Sequence, residues 1–334
     1  MTGRARFRNA AAFRTSPRAG TCMKRYVAYR VAVTMPVLLG VLVVGFLLMQ
    51  VVPSDPAAVR AGPQASAEVV AALREEMGLN RALPMRFALY LRQLARGDLG
   101  RSLINDAPVA TELGRAIGPS MELMTACLLW SVPVAVALGT FAAYRRNSVF
   151  DRAIVMLSIG AASVPVFFVG LLAIWIGGFW WQLLPFTGRG GPFWTRAGLA
   201  SLVLPAFTLG FVLLGAVVRI TRTAVLDALS SDHVRTARAK GLSEWSVTLR
   251  HALRNALIPI VTLVGLQIGY LIGGAVATEI IFSWPGMGRL AVNAITSSDL
   301  PMAQGAILVI AAAFVLTNLA VDLLQLLLDP RIRR

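Results

Sequence analysis

Lysine is almost missing from this 334-residue chain: Lys24 and Lys240 are the two it has, and arginine makes up the rest of its 32 basic residues. Those lysines follow Met23 and Ala239, so neither completes the G-x-x-x-x-G-K-[ST] loop that cradles nucleotide phosphates. The chain has no P-loop, and any ATP that drives it is hydrolysed elsewhere. Histidine is equally scarce. His233 and His251 share one polar segment, which excludes a histidine metal site or proton relay within the apolar runs. Cys22 and Cys127 fall in a terminal tail and an apolar run and imply no disulfide framework. Charge is sparse overall, at 14% against 57% hydrophobic, and it sits between long apolar runs. That pattern belongs to a polytopic membrane protein rather than to a soluble core. The formal charge of +16 does not point to nucleic acid, because the basic residues gather beside the apolar runs, as orientation in a bilayer requires.

Residues 1–30 carry eight Arg or Lys and no acid, and read as a basic cytoplasmic tail in which Met23-Lys24-Arg25-Tyr26 resembles a fresh amino terminus. Residues 31–52 form the first apolar run. At ~1.5 Å per residue it covers about 33 Å, enough for a hydrocarbon core of about 30 Å. No A-x-A site ends it, so it is an anchor rather than a cleaved signal. Pro53-Ser54-Asp55-Pro56 then stops the helix. Residues 53–118 hold eight basic and seven acidic residues, a nearly neutral folded excursion with helical spacing over Ala67–Met77 and Pro84–Ala95. Gly78 and Gly97 stand where those helices should end. Further spans are predicted over Pro119–Ala143, Ala153–Phe179, Gly198–Val218, Ala256–Thr278 and Ala303–Val321. The expected fold is an all-α integral membrane protein with six transmembrane helices. Residues 1–30, Tyr144–Arg152, Arg219–Asn255 and the tail 329–334 hold 21 basic residues against 11 in the other connections, which places both termini in the cytoplasm.

The longest of these inner connections reads as a device. Ser231 or Asp232 suits a helix cap, His233–Lys240 a short helix, and Gly241 the left-handed residue that closes it. Ser243 suits the cap of a second helix, Glu244–Leu257, leading into the fifth span. Ala237 and Ala239 keep the first helix slim while Arg235, Arg238 and Lys240 decorate it. Such an element fits a cleft on a partner; the alternative is a basic surface helix lying on anionic headgroups.

Within this segment Asp232-His233-Val234-Arg235-Thr236-Ala237-Arg238-Ala239-Lys240-Gly241-Leu242 resembles the EAA loop of ABC-importer permeases, in the form found in dipeptide, oligopeptide and nickel importers. His233 stands where that family usually has tyrosine, and Leu253-Arg254 where the broader motif closes with Leu-Pro. Other matches follow in order: Gly97-Asp98-Leu99-Gly100-Arg101-Ser102, Ser163-Val164-Pro165-Val166-Phe167, Arg219-Ile220-Thr221-Arg222, Glu279 through Gly288, Asp299-Leu300-Pro301, Asn318-Leu319 with Asp322, and Asp329 through Arg333. Together they resemble the B-type permease of a peptide-class importer.

The resemblance implies a type I ABC-importer permease core over residues 119–328, with a coupling loop at 223–256. It also implies a C-type permease partner, two cytoplasmic ATPase subunits and an extracytoplasmic solute-binding protein in a bacterial cell membrane. This chain would bind no cofactor; ATP and magnesium would sit in the ATPases. Arg235, Thr236, Ala237, Arg238, Ala239, Lys240, Gly241 and Leu242 would form the ATPase-coupling surface. Glu279, Trp284, Pro285 and Gly286 suit a pore mouth or binding-protein contact, against a plain tight turn with Glu279 bonded to it. Gly265, Gly269 and Gly273 make small-x-x-x-small steps on the fifth span, for a gate at the permease interface or for packing within the subunit. Peptide is the first-choice solute, with nickel chelates and glutathione as alternatives. A stand-alone channel or ion-coupled carrier is the competing class. Ion coupling usually leaves ionisable residues within spans, and only Glu122, Glu279 and Asp322 qualify even loosely, all near span ends, which counts against it.

Overall fold

Apolar runs punctuated by proline and glycine dictate a succession of helices. The computed structural model describes such a succession over residues 19–51 and 55–328, with side chains described for 32–47, 50 and 55–324. Helix α1 (Ala19–Val51) reaches back into the segment read as a tail. The rest of that tail, the expected stop at Pro53 and the terminal tail 329–334 lie outside the described residues. In the excursion, Asp55 caps α2 (Pro56–Ala61) by accepting from the Ala57 amide at 3.1 Å. Ser66 caps α3 (Ala67–Glu76), and α4 spans Leu83–Ala95. Gly78 and Gly97 follow α3 and α4 at φ +66° and +76°, a conformation that glycine reaches without Cβ strain. Arg74 bonds Asp55 across α2 and α3 at 2.5 Å and holds that carboxyl below the ordinary aspartate range. A depressed folded pKa contributes stability above the unfolded value and loses it as pH falls through the folded one, so this tie yields only to acid.

Helix α5 (Val109–Tyr144) departs from expectation by starting well before Pro119. Its first turns carry Val109, Leu113 and Ala116, which are buried against the final two helices, and that packing carries the helix through a proline that local propensity would place at its start. The third span departs further. Instead of one helix with a tolerated proline, α6 (Val149–Ser163) is bent by 102° from the stretch Val166–Trp180, which begins with α7 (Val166–Ala173). Pro165 supplies no N–H and pushes Val164 into extended backbone, φ −85° and ψ 129°, and no neighbour restores a straight course. A π-helical stretch, Ile174–Trp180, continues α7 and leaves Trp175, Trp180 and Trp181 exposed.

Helix α8 (Arg196–Leu229) follows, then the short α9 (Asp232–Ala239) and the single-turn α10 (Glu244–Ser246). A second π-helical segment, Val247–Ala252, joins α10 to α11 (Leu253–Ile281). Helices α12 (Met287–Thr296) and α13 (Leu300–Leu328) complete the described residues. Among the described residues, four helical stretches are long and apolar enough to cross a membrane: α5, α8, Glu244–Ile281 and α13. The α6–α7 pair makes a fifth as a broken span, and α1 contributes the shorter apolar stretch Ala32–Leu47.

Helix α8 is the axis. Its most apolar window is 67% buried, against 11% for α13. It packs on α5, α6, α7 and α11. Gly139 brings α5 close to it: a Cβ there would lie 2.7 Å from both Thr221 Cβ and the Val218 carbonyl oxygen. Farther along the crossing, Trp130 Nε1 donates to the Ala206 carbonyl at 2.9 Å, next to Pro205. The excursion is fastened separately. Buried Asp299, just before α13, accepts from Ser102 Oγ, from the Leu103 amide at 3.2 Å and from the Met302 amide at 3.4 Å.

Asp299→Ala should therefore cost about 3 kcal/mol, since it strands buried donors facing a charged acceptor. A lower unfolding temperature in detergent and faster tryptic cleavage at Arg101 are the expected readouts; unchanged values for both would show that Asp299 does not fasten the excursion.

Candidate functional site

The polar connection between α8 and α11 folds as a closed unit. Ser231 occupies the position before α9 in extended backbone, as a cap should, yet makes no capping bond; its hydroxyl donates back to the Ala228 carbonyl. The expected side-chain cap at Ser231 or Asp232 is therefore absent, because the Ser231 hydroxyl is already engaged and Asp232 lies within the first turn. Gly241 closes α9 at φ +78°, as its position in the sequence predicts. Ser243 caps the next helix, accepting from the Ser246 amide at 3.4 Å.

The two faces of α9 differ. Val234 and Ala237 are buried with Val247 and pack on Leu229, so Ala237 serves the inner face rather than an outward surface. Arg238 is also engaged within the chain: its Nε and Nη2 donate to the two Glu244 carboxylate oxygens at 2.8 and 3.1 Å. Glu244 raises the pKa of that guanidinium above its already high ordinary value. Arg235, Thr236, Ala239, Lys240, Gly241 and Leu242 remain exposed and form the outward face.

The root of this unit is an ion pair. Arg222 of the Arg219–Arg222 motif donates Nε and Nη2 to Asp151 at 2.6 and 2.8 Å, and the Asn147 amide adds a third bond to the same carboxylate at 2.9 Å. Asp151 is buried at the start of α6, so the pair fixes α6 to α8. Spacing gave no signal for this partner, which lies 71 residues from Arg222.

At the other end of α11 stands Glu279, fully buried. Its Oε1 accepts from Ser120 Oγ at 2.6 Å, and its Oε2 from the Gly288 and Arg289 amides at 2.7 and 3.1 Å. Ser120 accepts in turn from the Met287 amide at 2.8 Å. Trp284 is also buried and donates to the Pro119 carbonyl at 2.8 Å, so it offers no surface to a partner; Pro285 is the exposed residue of this turn. Gly286 is extended, and its requirement is for space: a Cβ would collide with the Glu279 carboxyl. On α5, Glu122 takes a bidentate bond from Arg189 at 2.6 and 2.9 Å. An apolar cleft of about 380 Å³ runs between α5, α11, α12 and α13, with Met121, Met124, Ile272 and Val309 in its walls and Glu279 at one end.

The three small residues on α11 separate. Gly265 and Gly269 meet Val321 and Phe314 of α13, the latter at 2.8 Å from an added Cβ, and so pack within the subunit. Gly273 meets nothing; its neighbour Gly274 approaches Leu209 instead, at 3.2 Å. Gly273 belongs to an exposed stripe with Leu266 and Tyr270, the last 79% exposed.

Residues 135–334 match the family model described as "Binding-protein-dependent transport system inner membrane component", and residues 23–138 match that of its N-terminal component. The chain is 39% identical over 311 residues to the glutathione transport system permease protein GsiC of Salmonella choleraesuis, covering 93% of this chain and 99% of that one. It is 37% identical over 332 residues to the dipeptide transport system permease protein DppB of Alkalihalophilus pseudofirmus, covering 93% and 100%. Similarity to the probable peptide ABC transporter permease protein y4tP of Sinorhizobium fredii is 40% over 312 residues, covering 92% and 99%.

Two substitutions test this geometry. Glu279→Gln keeps one acceptor oxygen where two are used, so it should lower stability by about 2 kcal/mol, measured as a drop in unfolding temperature, and Glu279→Ala should lower it further. Gly241→Val disfavours the positive φ that closes α9. That variant should insert normally yet lose transport while nucleotide hydrolysis by its partner continues; an unchanged transport rate would show the helix break to be dispensable.

Proposed function

The chain belongs to the family of binding-protein-dependent transport system inner membrane components, and from that premise we propose that it is the B-type permease subunit of an ATP-driven importer of short peptides. Helices α1, α5, the broken α6–α7, α8, Glu244–Ile281 and α13 are its six spans, and both termini are cytoplasmic. The excess of arginine in the connections on that side supports the orientation. A C-type permease, two ATPase subunits and an extracytoplasmic binding protein complete the machine. ATP and magnesium are held by the ATPases, and this chain supplies no catalytic group.

The observation that carries the reading is the outward face of α9. A slim helix with Arg235, Thr236, Ala239 and Lys240 exposed, closed by a left-handed glycine, packs by its inner face on Leu229 of α8 and on Val247, which leads into α11. Rigid insertion into an ATPase groove needs that shape and no reactive group. The exposed stripe Leu266, Tyr270 and Gly273 on α11 suits the face toward the second permease, where the translocation path runs. Di- and oligopeptides are the substrate class, and relatives named for dipeptide and for peptide transport support it. Glutathione is a second reading, favoured by relatives named for it and chemically continuous with the first, since it is a tripeptide.

Reconstitution of the chain with the companion permease, the ATPases and the binding protein in proteoliposomes tests the proposal. Uptake of a dipeptide should require ATP hydrolysis and the binding protein together. Uptake that continues without hydrolysis would replace this reading with an ion-coupled carrier or channel.

A further inference from the structure

The covalent path from α9 to α11 is not α-helical throughout. Between the single turn of α10 and the start of α11 lies the π-helical segment Val247–Ala252. A π turn bonds residue i to i+5, is rarely stable for long, and recurs at functional positions inside helices. Helix α9 lies directly across this segment, with Val234 and Ala237 buried on Val247.

Helix α9 is also tied down on both sides of that segment. On the near side, Arg238 holds both oxygens of Glu244 in α10 and reaches the Leu229 carbonyl at 3.4 Å. On the far side, Asn255 Nδ2 donates to His233 Nε2 at 2.7 Å. Asn255 belongs to α11 itself. The His233–Asn255 bond therefore links α9 to the long span without passing through the π-helical stretch.

We propose that the π-helical segment is the compliant part of this connection, that α9 is a splint across it, and that His233 and Asn255 are positioning residues for energy coupling that carry displacement of α9 directly into α11. With both ties in place, a push on α9 cannot be absorbed by the π turns between them. With the far tie cut, α9 pivots on Arg238–Glu244 and the π-helical segment takes up the movement. The inference rests on the coupling role proposed for α9 above.

The test uses the complete reconstituted importer and reads solute moved per ATP hydrolysed. His233→Ala and Asn255→Ala should each leave hydrolysis within about twofold of wild type and lower the ratio by about threefold or more. The double variant should be no worse than either single one, because the two residues act through one shared bond. His233→Gln, whose amide oxygen accepts from Asn255, should recover most of the ratio. A purely structural role would lower the amount of assembled complex and both rates together, leaving the ratio where it was. The proposal fails if the ratio is unchanged in both single variants, or if the double variant shows additive losses. It fails equally if only His233→Ala has an effect, since His233 would then touch the ATPase itself. Wild-type uptake without nucleotide hydrolysis is a separate result, which overturns the functional reading before any variant is compared.

Discussion

A bilayer interior offers a backbone amide no partner, so every segment that crosses it must satisfy its own hydrogen bonds. The rest of this structure depends on that constraint. It makes the apolar runs helical, and it leaves helix-to-helix contact to be specified by close packing and a few buried polar bonds. Helix α8 is where both operate. Gly139 lets α5 approach it, Trp130 reaches the carbonyl beside Pro205, and Asp151 and Arg222 pin the start of α6 to its polar end.

The same logic explains why the polar contacts are so concentrated. Glu279, Asp299 and Asp151 each gather several donors onto one carboxylate, and each fastens a join between elements distant in sequence. Glu279 holds the turn after α11 to α5, Asp299 holds the excursion to α13, and Asp151 holds the connection between α5 and α6 to α8. A buried carboxylate with its full set of donors is specific, because any displacement leaves a charged or dipolar group without a partner. Helix α9 is braced to α8, α10 and α11 yet presents most of its polar face outward.

Much of the candidate site was legible because it is local. Gly241 ends α9, Ser243 starts the next helix, and Gly78 and Gly97 end theirs, since each depends on a backbone angle or a bond within a few residues. Other expectations failed where neighbours outweighed local preference. Pro119 reads as a helix start, but packing of Val109 and Leu113 draws α5 past it. Pro165 reads as a tolerated interior proline, but nothing straightens the chain there and the span bends. Of the two readings of the small residues on α11, packing within the subunit holds for Gly265 and Gly269 but not for Gly273, which the helix turns toward open space, with Gly274 toward Leu209. Ala237 and Arg238 belong to the expected coupling surface by spacing, while the fold commits one to the inner face and the other to Glu244.

What the amino-acid order determined by itself is the membrane class, the helical content, the ordering of spans and the polar loop closed by glycine. All of these are set by hydropathy, by the residues that break helices, and by interactions within one or two turns. Tertiary structure alone decided which side of each helix is covered and which charges meet. Ser120 and Glu279 are 159 residues apart, and Asp151 and Arg222 are 71 apart, so no local pattern relates them. It also decided the nature of the loop. A basic, slim helix with a terminal glycine became a braced element lying over a π-helical segment, because Val234 and Ala237 bury against Val247 while His233 reaches forward to α11.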